Sequence, residues 1–477
     1  MREATSWVDR NSALLTDMAT RIWQNPELGL LEFQASRLQA EALTAAGFSV
    51  TTGVGGMRTA IAATWGERGP VIGFLGEFDA LPGLSQEAGV PERRPVEAGK
   101  PGHGCGHNLL GTAHLGAALA LKAALEAKGL PGTVRYYGCP AEESFNAKGF
   151  MAKAGAFADV DVAFAFHPGD HTAASLTSSL ANSMVTFTFH GVAAHAAANP
   201  EMGRSALDAV ELMNVGVNYL REHVPPDVRI HYQILNGGGA PNVVPDLAAS
   251  LYFVRGKSRR TVDDAYARVV ACAEGAARMT GTEVEVHLTD GLWNILANGV
   301  CAERLADAMQ RLGPIPFDER DRELARAMQG SFPPGSVERA RERYRAEGWK
   351  GADTGEPLQA DSMGVTGRGT HMSGSTDAAD VSRVVPTGFL AVATAPVGTP
   401  GHSWQNVAAA GSSIGMKGML YAAKAMAVAG LDFAERPALV AAARDEFQAA
   451  AAAEPYRLVV DELIPPPHVP ADAPWRA

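Results

Sequence analysis

Residues Pro101–Gly116 read PGHGCGHNLLGTAHLG. The first half is a glycine-hinged turn carrying His103, Cys105 and His107. The second half opens a long apolar run, LLGTAHLGAALALKAALEAK, at helical spacing, which Asn108 is placed to cap. Upstream, VIGFLGEFDALPG from Val71 is a short continuous apolar run ending in Glu77, Asp79 and a Pro-Gly turn. Downstream, TVRYYGCPAEES and VDVAFAFHPG read as two further strands, each apolar until its last residues. Strand, helix, strand, strand, apolar on both faces, predicts a buried, mostly parallel sheet flanked by helices. The turn then falls at the carboxyl edge of that sheet, where open α/β sheets place their sites.

Helical periodicity precedes this unit, from Arg2 to Gln24 and from Leu31 to Ala46, with Gly47 closing the second stretch. Near Ser183 the texture changes. MVTFTFHG alternates with period two, and after it come a helix pattern (RSALDAVELMNVGVNYLREH), VRIHYQIL, AASLYFVRG, a second helix pattern (TVDDAYARVVACAEGAARMT) and EVEVHLT. That order is the β-α-β-β-α-β split unit of ferredoxin-like domains. After Asn298 helix returns, followed by a polar stretch from Gly313 to Gly369 that reads as a partly helical surface excursion. Strand character resumes at PTGFLAVATAP, PGHSWQN opens a long C-terminal helix, and PPPHVPADAPWRA reads as an extended surface tail. The expected fold class is α/β: a discontinuous, mostly parallel-sheet domain from residues 1–182 and 299–477, with an α+β domain inserted at residues 183–298.

Size and charge narrow the function. The 477 residues suit two domains, and 46% hydrophobic with 19% charged residues is a globular composition. A formal charge of −11 argues against nucleic acid or an anionic membrane as partner. No basic segment followed by an apolar core marks a signal peptide at the start. Nor does any uncharged apolar run reach the roughly 18 residues of a membrane span; the best candidate is broken by Lys417 and Lys424. Four cysteines at irregular spacing are no disulfide framework, and a cytoplasmic location with reduced thiols is expected.

The strand ends carry a pattern. Asp79, Cys105 and His107, Glu142 and Glu143, His167, and His402 each follow a strand or enter a helix. Imidazole, thiolate and carboxylate together suit zinc or another divalent transition ion. The adjacent glutamates suggest one ligand and one general base, in a hydrolysis of an amide or ester by a metal-activated water. Cys105 has the rival reading of a small buried filler, over which its place beside His107 favours a ligand, and His167 alone reads equally as a satisfied core histidine. His103, His114 and His171 read as structural.

These motifs, in order with NPELGLLEFQASRLQAEALTAAGF, GVAAHAAANPEMGRSALDAV, NVVP and STDAADVS, cover nearly the whole chain. In them the sequence resembles the dinuclear metallopeptidases and amidohydrolases related to aminoacylase, bacterial glutamate carboxypeptidase and the indole-acetyl-amino-acid hydrolases. The resemblance implies two divalent ions, Zn or Mn, on Cys105, His107, Glu143, His167 and His402. It implies Glu142 as general base and Asp79 as the carboxylate that orients a ligand. It further implies an inserted domain acting as lid and dimerisation module, with His195 reaching the partner's site to stabilise an oxyanion. Asn242 and Arg255 match residues that hold the substrate's carbonyl or carboxylate. Glu77 stands where other branches carry a histidine, and Asn108 where many members carry aspartate. The implied substrate is an N-acyl or N-aroyl amino acid, a p-aminobenzoyl-glutamate-like conjugate. The implied assembly is a homodimer or a hetero-oligomer with a homologous subunit, in which this chain either catalyses or serves as a partner that turns over poorly alone.

Overall fold

The structure, a computed structural model, describes residues 1–477. Its large sheet uses eight strands: β1 (Ser49–Thr52), β2 (Ile61–Trp65), β3 (Val71–Glu77), β4 (Thr133–Cys139), β5 (Val162–Gly169), β6 (Ala173–Ser175), and two from later in the chain. Between β6 and those two lie β7 (Ala181–His190), β8 (Arg229–Asn236), β9 (Leu247–Gly256) and β10 (Glu283–Leu292), which form a separate sheet. β11 (Val365–Thr366) and β12 (Thr387–Ala393) then return to the large sheet, whose order is β1-β2-β4-β3-β5-β12-β6-β11. The centre, β4-β3-β5-β12, is parallel throughout. Antiparallel pairs appear only toward the edges, β1 with β2, β2 with β4, and β12 with β6.

Alternation along the central strands explains the layers. Ile72, Phe74, Tyr136 and Phe164 enter one core with the helices Arg2–Arg10, Ser12–Gln24, Phe33–Ala45, His107–Lys128, Gly299–Leu312 and Ser413–Glu435. Leu75, Tyr137, Ala163 and Ala165 face the other side, against Phe150, Met151, Val381, Val469 and Trp475. Period two sends neighbouring residues to opposite faces, and both faces are covered.

Four local expectations need correction. Asn108 does not cap its helix: Gly106 does, in a left-handed conformation (φ 77°), and Asn108 lies inside the first turn. Its amide donates instead to the carbonyls of Ala19 and Ala410 at 3.3 and 3.4 Å. The stretch from Gly313 to Gly369 is more than a surface excursion. It holds the helices Glu319–Gln329 and Ser336–Ala346, and it places Ile315, Phe317, Ala325 and Leu358 in the main core. The tail is also docked rather than extended on the surface. Trp475 is 6% exposed, its carbonyl accepts from Arg58 N–H at 2.8 Å, and His468 Nε2 meets the Gly29 carbonyl at 2.8 Å. The long C-terminal helix is three helices, Trp404–Ala410, Ser413–Glu435 and Pro437–Ala451.

The second sheet is antiparallel, in the order β10-β7-β9-β8. The helices Ala206–Leu220 and Arg259–Thr280 cover one face with a core of its own. The chain crosses between the two units near Asn182 and Leu292. Buried Arg259 donates to both of their carbonyls and to Ser183 Oγ, clasping the two crossings together. No helix is long and apolar enough to cross a membrane.

Candidate metal centre

The carboxyl ends of β3, β4 and β5 meet the start of the helix His107–Lys128. Gly111 allows the close approach: a Cβ there would stand 2.4 Å from the Glu77 carbonyl oxygen. His107 is thereby pressed, fully buried, against the end of β3. Its Nδ1 lies 2.8 Å from Asp79 Oδ1, and the other Asp79 oxygen accepts the Glu143 N–H at 3.0 Å. With Nδ1–H committed to Asp79, Nε2 is left as a lone pair. That atom is buried without a hydrogen-bond partner, as is Glu143 Oε1, 3.8 Å away.

A second imidazole shows the same logic. His167 Nδ1 is 2.7 Å from the Pro168 carbonyl, so its Nε2 faces Cys105 Sγ at 3.3 Å. His402 Nε2 stands 3.4 Å from Glu143 Oε2. The ligand-type atoms of Cys105, His107 and His167 lie within 4.8 Å of one another, and so do those of Cys105, Glu143 and His402. Two zinc ligands at about 2.0–2.1 Å in tetrahedral geometry are separated by about 3.3 Å. The donor set, the two orphaned buried atoms and these separations therefore fit divalent cations, with Cys105 common to both groups. His167 and His402 are exposed, which leaves the centre open to a substrate.

Glu142 belongs to a third group, with Glu77 and His107. Burial, then the like charges of Glu77 and Glu143, hold its carboxyl well above the usual range. The turn that delivers the two glutamates is strained, with Ala141 at φ 59°, and His402 is likewise left-handed at φ 50°. Glu32 braces the first of these: its Oε1 accepts the N–H groups of Ala141 and Leu30, and its Oε2 the Thr59 hydroxyl. Burial and the charge of Asp79 push Glu32 up to about 8.

Sequence reasoning missed Glu32, and it missed Lys148 and Asp377. Lys148 is wholly buried, with Nζ 2.7 Å from Glu77 Oε1 and 2.5 Å from Asp377 Oδ1. No periodicity marks it, and Lys148 in NAKGFMAK reads as an ordinary helix surface residue. The histidines read as structural are so bonded: His103 Nε2 meets the Ile22 carbonyl, and His114 bridges Leu110 O and Phe166 N. His171 pairs with Asp170 and the Tyr344 hydroxyl.

Three sequence-predicted residues sit in the smaller unit and make no hydrogen bond or ion pair with this cluster. His195 and Asn242 are neighbours on exposed loops, joined where Ala196 N–H donates to the Asn242 carbonyl at 3.0 Å. His195 Nδ1 accepts the N–H groups of Ala197 and Ala198, which turns Nε2 outward. Arg255 lies on β9, its guanidinium 4.4 Å from the Phe253 ring and its Nε buried without a partner.

Comparison with known proteins adds four findings. The profile of peptidase family M20/M25/M40 matches residues 73–338, more than half of the chain. The chain is 39% identical to a p-aminobenzoyl-glutamate hydrolase subunit of Escherichia coli, over 94% of this chain and 95% of that protein. It is 30% identical to the Xaa-Arg dipeptidase of Mus musculus, over 94% and 92% of the two chains. Among solved structures, a dinuclear metal-binding peptidase of the M20 family from Bacillus subtilis superposes with a TM-score of 0.58 at 17% identity, covering 90% of this chain and 99% of that one.

Proposed function

Because the chain belongs to peptidase family M20/M25/M40, and is thereby a metal-dependent hydrolase of amide or peptide bonds, we propose that it cleaves an N-acyl or N-aroyl amino acid with Glu142 as general base. A p-aminobenzoyl-glutamate-like conjugate is the substrate class that the Escherichia coli relative's name supports. The observation that carries the reading is the convergence of His107 Nε2, His167 Nε2, His402 Nε2, Cys105 Sγ and Glu143 beside Glu142. These five side chains would hold two divalent ions, Zn or Mn. A bound pair lowers the pKa of water and polarises a carbonyl.

The protein's own groups do the rest. Asp79 and the Pro168 carbonyl keep His107 and His167 in the tautomer whose Nε2 faces the cleft. Glu142 takes the proton of the attacking water and returns it to the departing amine nitrogen.

Residues 183–298 act in this reading as lid and dimerisation module on a body made of residues 1–182 and 299–477. A separate core supports it, as do the exposed Tyr219, Ile234 and Leu235 on the helix Ala206–Leu220 and edge strand β8. Closure would bring Asn242 and Arg255 to the substrate's carbonyl and carboxylate, with His195 supplied across a homodimer. Four free cysteines support a reducing, cytoplasmic setting. A second reading, a partner in a hetero-oligomer, rests on the Escherichia coli relative being named as one subunit of its hydrolase.

One assay tests both. The purified chain, loaded with Mn²⁺ or Zn²⁺, should release the amino acid from a panel of acyl and aroyl conjugates without any partner. Glu142→Ala should lower that rate by about 10²–10⁴-fold with unchanged metal content. Inactivity of the loaded wild type, restored only by a second subunit, would favour the partner reading.

A further inference from the structure

Glu77 and Lys148 lie outside the five proposed ligands and the base, yet both are buried beside them, at 5% and 0% exposure. Lys148 is tethered twice. Its Nζ meets Glu77 Oε1 and Asp377 Oδ1, and its backbone N–H donates to Asp377 Oδ2 at 2.9 Å. The remaining Glu77 oxygen, Oε2, stands 3.3 Å from His107 Nε2, the nitrogen left open by the bond to Asp79.

A buried ammonium between two carboxylates gives little net stability, because desolvation offsets most of the attraction. Its geometric effect is larger. With Oε1 occupied, Glu77 cannot rotate to offer both oxygens to His107.

We propose that Lys148 is a positioning residue of the metal centre: by occupying Glu77 Oε1 it fixes Oε2 beside His107 Nε2, facing the cation that His107 holds. The separation of 3.3 Å is that of two ligand atoms on one zinc-like ion. This inference rests on the two-ion reading above.

The test is metal binding, read apart from turnover. Chelator-stripped protein is titrated with Zn²⁺ against a chromophoric chelator, and stoichiometry is read by elemental analysis. The variants are Glu77→Gln, the charge-compensated pair Lys148→Met with Asp377→Asn, and all three substitutions together. Wild type should bind two ions. The paired variant should keep its circular dichroism and weaken one of the two ions by about 10–100-fold, leaving the other unchanged. Glu77→Gln should do the same, and the triple variant should be no worse than either, since both act through one carboxylate. Unchanged affinity for both ions in the folded paired variant, or additive losses in the triple variant, would overturn the proposal. Should the paired variant not fold, Glu77→Gln decides alone: unchanged binding sinks it. Wild type that binds fewer than two ions would instead sink the two-ion reading.

Discussion

Asp79 Oδ1 accepts from His107 Nδ1 at 2.8 Å while Asp79 Oδ2 accepts the Glu143 N–H at 3.0 Å, so one buried carboxylate orients two proposed ligands from two different elements. Asp79→Ala leaves both donors unpaired and should weaken metal binding by about 10–100-fold. Asp79→Asn keeps one acceptor oxygen and turns an amide N–H toward the other donor, so its loss should fall between wild type and alanine. Competition titration with a chelator ranks the three proteins.

Acid stability should report on His114. Its Nδ1–H donates to the Leu110 carbonyl at 2.8 Å, and its Nε2 accepts the Phe166 N–H at 3.0 Å. A second proton on the ring would face that N–H, and burial holds the pKa down to about 4 from 6.5. Between those values the unfolded chain binds a proton that the native chain refuses. Stability is therefore lost as pH falls through that window and levels off below it, by about 2 kcal/mol from pH 6.5 to 5 for this one group. Asp380, pushed up to about 7 by burial, contributes with the opposite sign. The test is thus a difference in slope: denaturant melts of His114→Gln should lose less stability over that range than wild type does.

The docked tail should matter to both units. Tyr456 donates to Asp380, the Arg457 carbonyl accepts from Trp293 Nε1 at 2.8 Å, and Arg457 Nη2 reaches Asp263 of the smaller unit at 2.8 Å. Further along, Trp475 fills the second core. Trp475→Ala should cost about 3–5 kcal/mol. Ending the chain after residue 453 should lower the melting temperature and speed proteolysis near Asn182 and Leu292. Equal protease resistance would show that the tail does not brace the crossings.

If the smaller unit pairs two copies, charge on its apolar edge should separate them. Leu235 and Tyr219 are 53% and 73% exposed. Leu235→Asp with Tyr219→Asp should halve the mass seen by sedimentation and leave circular dichroism unchanged. A wild type that already sediments as a monomer would dismiss the pairing.

What was legible in the chain was what local periodicity and strand ends encode. The apolar runs VIGFLGE, TVRYYGC and VAFAFHPG are β3, β4 and β5, and the alternating MVTFTFH and EVEVHLT lie in β7 and β10. Cys105, His107, Glu143, His167 and His402 were visible because each ends a strand or enters a helix in a motif of unusual composition. The short strands β1, β6 and β11 were not, since stretches of two to four residues carry no period. The tail and the polar stretch read as surface because their anchoring residues, Trp475 and Tyr344, are isolated in polar surroundings and gain meaning only from what they touch.

Taken alone, then, the order of residues determined the sheet's central strands, the helix that follows the glycine-hinged turn, and the kinds of atom that could meet a cation. Only the tertiary structure decided which atoms face one another: that Asp79 takes Nδ1 of His107 and leaves Nε2 open, and that a buried lysine from a distant helix holds Glu77 in place. The reason is physical. Propensity and periodicity act over a few residues, whereas tautomer, charge pairing and desolvation are set by neighbours that sequence separation does not reveal.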